Sequence, residues 1–178
     1  MLTRLTHRNV HAERSSLPSA ERGFTLMELL IVMSVILILM AIAIPNFLHL
    51  RGQADETSAI QSLRAINQAE IQYQTTYPAN GFACGLTALG GPTTGAPSPT
   101  NAQLVSSDLT TGQKSGYTFA ISGCSKVTIN NQDMYTSYAV TAVPQAVGKT
   151  GYRGFCTDQS NEIKADPSGG TNCTQPIQ

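Results

Sequence analysis

The stretch Gly23-Phe24-Thr25-Leu26-Met27-Glu28-Leu29-Leu30-Ile31-Val32 opens the apolar run that decides how this chain folds. From Leu29 to Ile44 every residue is apolar except Ser34, and Phe24 and Leu26 extend the run upstream across Thr25 and Glu28. A run of about 20 apolar residues carries a helix across a bilayer core. Pro45 then interrupts it, and the missing N–H and ring clash predict a kink or a local loosening. Beyond Pro45 the pattern changes but does not end. Phe47, Leu50, Ala54, Ile60, Leu63, Ile66, Ala69, Tyr73 and Tyr77 recur mostly three or four apart, with Asp55, Glu56, Gln61, Arg64, Gln68 and Gln72 between them. That is the period of a helix with one buried face. Pro78 disfavours helical dihedrals in the residue before it and so predicts an end at Tyr77.

Residues 24–77 therefore read as one helix of 54 residues (77 minus 23), whose length at 1.5 Å per residue is roughly 80 Å. No small domain needs so long a helix for its own core. Its first half is apolar all round, so lipid or other copies of the chain must cover it, whereas its second half offers one face to a domain.

Upstream, residues 1–22 are polar and basic, without helical or strand periodicity, and read as a leader. Residues 1–23 hold Arg4, Arg8, Arg14 and Arg22 against Glu13 and Glu21, four basic to two acidic; the remaining chain holds 11 − 4 = 7 basic and 11 − 2 = 9 acidic residues. A basic flank before an apolar span argues for a cytoplasmic N-terminus and a C-terminal part carried across the membrane. The whole chain has zero formal charge and only 12% charged residues, which gives no basic field of the kind that binds nucleic acid.

Downstream, residues 79–113 are rich in Gly, Pro, Thr and Ser and read as loop. Strand patterns follow at Tyr117, Phe119 and Ile121, at Val127 and Ile129, and from Tyr135 to Val143. Tyr152 to Cys156 and Glu162 to Ala165 read as a hairpin turning at Asp158-Gln159-Ser160-Asn161. The expected fold is α+β: a long N-terminal helix, transmembrane in its first half and amphipathic in its second, packed on an antiparallel sheet of about four strands. Residues 1–23 form the leader, 24–46 the membrane and assembly helix, and 47–178 the head.

Cys84, Cys124, Cys156 and Cys173 all lie beyond the apolar span, where an exported head meets oxidising conditions. No C-x-x-C pair is present, and His7, His11 and His49 are all upstream of the cysteines, which argues for disulfides over metal. Of the three pairings, Cys84 with Cys124 and Cys156 with Cys173 is favoured; the first staples the loop after the helix to the sheet and the second closes the C-terminal segment, while the other two pairings stay open.

The ordered set Gly23, Phe24 and Glu28, preceded by Glu21-Arg22, resembles the processing and assembly segment of type IV pilins and type II secretion pseudopilins. The resemblance is specific over residues 21 to about 50. It implies a pilin-like fold and cleavage by a prepilin peptidase between Gly23 and Phe24. It further implies N-methylation of Phe24 and a glutamate, Glu28, that attracts the amine of a neighbouring subunit; Pro45 falls where the family carries its helix-loosening proline. An intramembrane carboxylate costs about 2.5 kcal/mol or more at the bilayer centre, an independent reason to expect a partner or a function for Glu28. The implied partners are further copies of the chain, the peptidase, a membrane assembly platform with its cytoplasmic ATPase, and the lipid bilayer before assembly. The implied location is the bacterial inner membrane as a single-pass precursor, then a periplasmic or extracellular filament.

The implied function is a structural subunit of a type IV pilus or pilus-like filament, not an enzyme. The alternative within the family is a secretion pseudopilin, which the absence of a glycine- and aspartate-rich C-terminus disfavours. Outside the family stand a secreted or membrane-anchored binding module and a signal peptide cut near Ala41-Ile42-Ala43. The latter is opposed by an apolar run longer than about 7 to 15 residues and by an acidic residue near its start. No catalytic group is expected: no histidine follows His49 on the helix, and Gly148-Lys149-Thr150 lacks the glycine at 143 that a phosphate loop requires. Asp158, Glu162 and Asp166 are weak calcium candidates, since calcium takes about 6 to 8 oxygens and no EF-hand pattern is present; no other cofactor is expected.

Overall fold

The computed structural model describes residues 23–92 and 94–177. Of the leader expected over residues 1–23, only Gly23 lies among them. The chain divides into two units, Met1–Met40 and Ala41–Gln178, and helix α1, Leu26–Thr76, contributes residues to both. The 51-residue helix continues through Pro45. Its last turn is closed by the Tyr77 N–H donating to Tyr73 C=O at 2.8 Å, one residue before Pro78.

In the first unit the described helix residues are exposed on every side. In the second unit the buried stripe of α1 begins at Gly52, not at Phe47. Gly52, Glu56, Ala59, Leu63, Ile66, Glu70 and Tyr73 alternate four and three apart, flanked by buried Ser62, Asn67 and Ala69. Phe47, Leu50 and Ala54, expected on the buried face, are exposed, and Glu56, expected outside, is buried. Hydrophobicity misplaced the stripe because three of its positions are polar side chains with specific partners.

The apolar part of the stripe packs on a sheet of β1 Gln113–Lys114, β2 Tyr117–Ser122, β5 Ala139–Pro144, β6 Gly154–Asp158, β7 Lys164–Asp166 and β8 Gln175–Pro176. It is antiparallel throughout, in the order β1-β2-β5-β6-β7-β8. The sequence pattern predicts about four strands; the two additional edge strands are two residues long, too short to show a period. One row across the sheet pairs Phe119 with Ala142, Ala142 with Phe155 and Phe155 with Ala165. Large and small side chains thus alternate over four strands, which leaves ridges that the apolar stripe of α1 fills. All four join Leu63, Ile66 and Tyr73 in one core. Truncating a buried aromatic such as Phe155 to alanine costs about 3 to 5 kcal/mol. Gly154 is required on β6 because a Cβ there would run into the Gly170 carbonyl.

A second, two-stranded sheet consists of β3 Lys126–Ile129 and β4 Gln132–Tyr135. Asn130 and Asn131 form its two-residue turn with φ of 51° and 63°, the left-handed geometry that suits a hairpin and that asparagine tolerates. The single strand expected from Tyr135 to Val143 is therefore two: β4 ends at Tyr135, and β5 starts at Ala139. Neither face of β3 is buried; the pattern at Val127 and Ile129 marks this strand, whereas nothing in β4, Gln132–Tyr135, separates it from the strand that follows. The expected hairpin of the C-terminal part is present as β6 and β7, with Asn161 at φ 63° in its turn. Within the expected loop 79–113 lie the one-turn helices α2 Leu86–Leu89 and α3 Ser107–Thr110, whose Leu86, Leu89 and Leu109 are buried in the core.

Cys84 is bonded to Cys124 and Cys156 to Cys173, the pairing favoured on sequence. The cross-linked residues lie 40 and 17 apart, and on the loop-entropy account the bridges stabilise the head by about 4 and 3 kcal/mol.

Glu70 lies fully buried on α1. Its Oε2 accepts the Ala83 N–H at 2.8 Å, while Oε1 has no partner. Burial pushes its carboxyl up to about 7, with Tyr73 on the same helix and Tyr138 before β5 close enough to feel its charge. A raised folded pKa makes the protonated state the one that fits the core. Stability is then full below the ordinary carboxyl value of 4.5 and is lost as pH rises to about 7, by about 3 kcal/mol in total. Chemical-denaturation midpoints of the full chain in detergent should fall over that pH window, and Glu70→Gln should flatten the decline. An equal decline in the variant would assign it to another group.

Candidate assembly segment

Helix α1 starts because Thr25 caps it. The Thr25 Oγ1 accepts the Glu28 N–H at 3.2 Å, and the Glu28 Oε2 accepts the Thr25 N–H at 3.0 Å. This reciprocal pair is a capping box, which satisfies two donors that a helix N-terminus leaves open. The Thr25 hydroxyl also donates to Glu28 Oε2 at 2.9 Å, so among the described residues every bond to this carboxylate goes to one oxygen. Thr25 escaped the reading of the sequence, although threonine followed three residues later by glutamate at the head of an apolar run is the signature of this cap.

Around the cap, nothing in the described residues demands glycine at 23. Among the described residues a Cβ there would meet nothing within 4 Å. Phe24 is 87% exposed and packs on nothing that would explain an aromatic. From Leu26 to Ile44 the helix offers only apolar side chains apart from Glu28 and Ser34, and Ser34 turns its hydroxyl inward to Ile31 C=O at 2.7 Å. A serine satisfied by its own helix leaves no open donor toward lipid. The helix is long and apolar enough to cross a membrane. An apolar surface of this extent is not stable against water on a lone chain and marks a contact with lipid or protein.

Residues 18–44 match the family model described as the prokaryotic N-terminal methylation motif. Over 52 residues the chain is 47% identical to the type IV major pilin protein PilA of Myxococcus xanthus (strain DK1622), a match that covers 29% of this chain and 24% of that protein. No solved structure matches the chain. The N-terminal segment is thus similar to that of a type IV pilin.

The motif match covers the segment that carries Gly23, Phe24 and Glu28, and Pro45 lies one residue beyond it. Structurally the protein has a long N-terminal helix, an antiparallel head and two disulfides. The remaining sites expected from sequence lie apart. Asp158 accepts the Ser160 N–H at 2.8 Å, and the serine's side chain and N–H hold its carboxyl below the usual range. Glu162 lies 3.5 Å from Lys164. Asp166 receives the Ser168 hydroxyl and N–H on one oxygen and the Asn172 N–H on the other, with the Ser168 bonds foremost in lowering its pKa. Among the described residues no group of three metal-binding side chains comes together; each of these carboxylates serves its own turn or neighbour.

Polar side chains of α1 also grip the head. Glu56 accepts the Tyr152 and Arg153 N–H groups at 2.8 and 3.2 Å and pairs with the Arg153 guanidinium at 2.8 Å. Asn67 donates to Thr157 of β6 at 2.8 Å and accepts the Tyr138 hydroxyl at 3.2 Å. Arg153 also stands 5.4 Å over the Phe155 ring. Their signal was polar residues at heptad positions of an otherwise apolar stripe.

Loss of an N-cap costs about 1 kcal/mol, equivalent to roughly fivefold in a local opening equilibrium. Thr25→Ala should therefore accelerate amide exchange of the first helical turn about fivefold in the detergent-solubilised chain, and Thr25→Ser should restore it. Unchanged exchange in Thr25→Ala would show that the cap does not hold this turn.

Proposed function

We propose that the chain is a type IV prepilin: a subunit held in the membrane by the first half of α1, cut between Gly23 and Phe24, methylated on the new Phe24 amine, and polymerised through its helix. The single observation that carries this reading is the capped, wholly exposed apolar helix whose first residues match the methylation motif. Gly23 has no role in the fold around it, which fits a residue read by a peptidase that must thread the backbone through a narrow site. Cutting there would create an amine one residue from Thr25. Because Glu28 uses Oε2 for the cap, its Oε1 remains to receive the amine of the next subunit, and an ion pair inside an oily bundle is strong enough to set axial register. The Myxococcus relative is named as a major pilin, and the reading extends that role to this chain.

Its partners in this account are further copies, a prepilin peptidase that cuts and methylates, and an assembly platform driven by a cytoplasmic ATPase. The subunit itself performs no chemistry. The exposed apolar surface stays in lipid until it is exchanged for the helices of other copies, with the heads displayed outside.

Mass spectrometry of the subunit recovered from cells should find it shortened by residues 1–23 and beginning with N-methylated phenylalanine. Gly23→Val should leave the leader attached. Glu28→Leu should still be trimmed yet fail to enter filaments, as sheared surface fractions would report. A mature start near Ile44 would overturn the reading in favour of secretion, and an uncut chain in wild-type cells would reduce the helix to a plain anchor.

A further inference from the structure

We propose that the head carries a docking face for anionic lipid, made by the helix segment Phe47–Arg51 and the turn Ala146–Gly151, which seats the subunit on the membrane surface before assembly. The proposal rests on the membrane-span reading given above and adds a binding surface to it. Five exposed apolar side chains lie on these pieces or beside them: Phe47, Leu48, Leu50, Val147 and Tyr152 are 64, 58, 62, 58 and 45% exposed. Between them is a cavity of about 470 Å³ lined by Leu48, Arg51, Gly148, Lys149 and Thr150. Its floor is apolar and its two charged walls are both cationic. Among the described residues neither Arg51 nor Lys149 is in an ion pair: Glu56 is taken by Arg153, and Asp55, one turn beyond Arg51, pairs with neither.

The turn is rigid enough to present them. Gly148 N–H donates to Gly151 C=O at 2.8 Å, and the Lys149 and Thr150 N–H groups both donate to Ala146 C=O at 3.0 Å. The Glu56 bonds to Tyr152 and Arg153 clamp the end of the turn onto α1. Lys149 and Val147 therefore stand at a fixed distance from Leu48 and Arg51.

Counting along the helix says what the face meets. From Phe24, a hydrocarbon core of about 30 Å is crossed in about 20 residues, which ends near Ile44. Phe47 to Arg51 then fall within about 10 Å of that boundary, at the depth of the headgroups. Apolar side chains that enter the boundary beside cations that meet phosphate are the composition of an interfacial binding face. A second copy of the chain is the competing occupant, but it would have to supply anions to Arg51 and Lys149, whereas a headgroup layer supplies them at the right depth.

The chain contains no tryptophan, so Val147→Trp gives a single reporter of polarity at the turn. The full-length chain carrying it should be reconstituted at one copy per nanodisc of phosphatidylcholine, with or without phosphatidylglycerol. Emission should shift to the blue and be quenched by brominated lipid in the anionic discs, the shift shrinking with added salt. Arg51→Gln with Lys149→Gln should abolish the difference between the two lipids, while Lys126→Gln, on the separate hairpin β3–β4, should keep it. Equal emission in both lipids, or a shift that appears only when discs hold several copies, would overturn the docking face while leaving the span intact. Failure of the chain to enter discs at all would overturn the span, and the docking face with it.

Discussion

An apolar helix surface that the chain cannot cover by itself constrains everything else in this molecule. Burying one Leu or Ile side chain is worth about 1.5 to 3 kcal/mol, and the run from Leu26 to Ile44 presents such side chains on every face. Their free energy is available only to lipid or to other copies, never to the head. The helix must also begin and proceed without open hydrogen-bonding groups in an apolar medium. The Thr25–Glu28 cap meets the first need, and the inward turn of the Ser34 hydroxyl helps with the second.

The head consequently folds on its own resources. Its core is one row of alternating large and small side chains across four strands, closed by the stripe of α1, and two disulfides tie down the segments that the strands do not hold. The stripe is interrupted at Glu56, Asn67 and Glu70, each bonded to a different part of the head. Apolar contacts tolerate sliding; directional hydrogen bonds do not. Three of them spread along the helix fix both its rotation and its axial position against the sheet, which suits a subunit whose helix and head must move together. Buried polar groups used in this way exchange some stability for one defined arrangement.

The described helix positions before Gly52 are exposed, whereas the buried stripe from Gly52 onward belongs to the head. Replacing a residue in one set leaves the other chemically untouched, because no side chain of the apolar run takes part in the core. The zone where the sets meet combines exposed apolar side chains with Arg51 and Lys149.

Local rules were sufficient where the chain determines its own environment. The helix end before Pro78, the apolar span, the α+β class and the likeness of the N-terminal segment to the methylation motif all follow from side chains read along one dimension. The true start of the buried stripe, the inward Glu56 and Glu70, the split of Tyr135 to Val143 into two strands, and the separation of Asp158, Glu162 and Asp166 did not. Each depends on what lies opposite in space. A carboxylate is buried only if a guanidinium or an N–H arrives to meet it, a run of strand formers divides where its pairing partners change, and three acids in sequence become a site only if strands bring them to one point. Side-chain chemistry and periodicity are properties of the chain, whereas partners are properties of the fold.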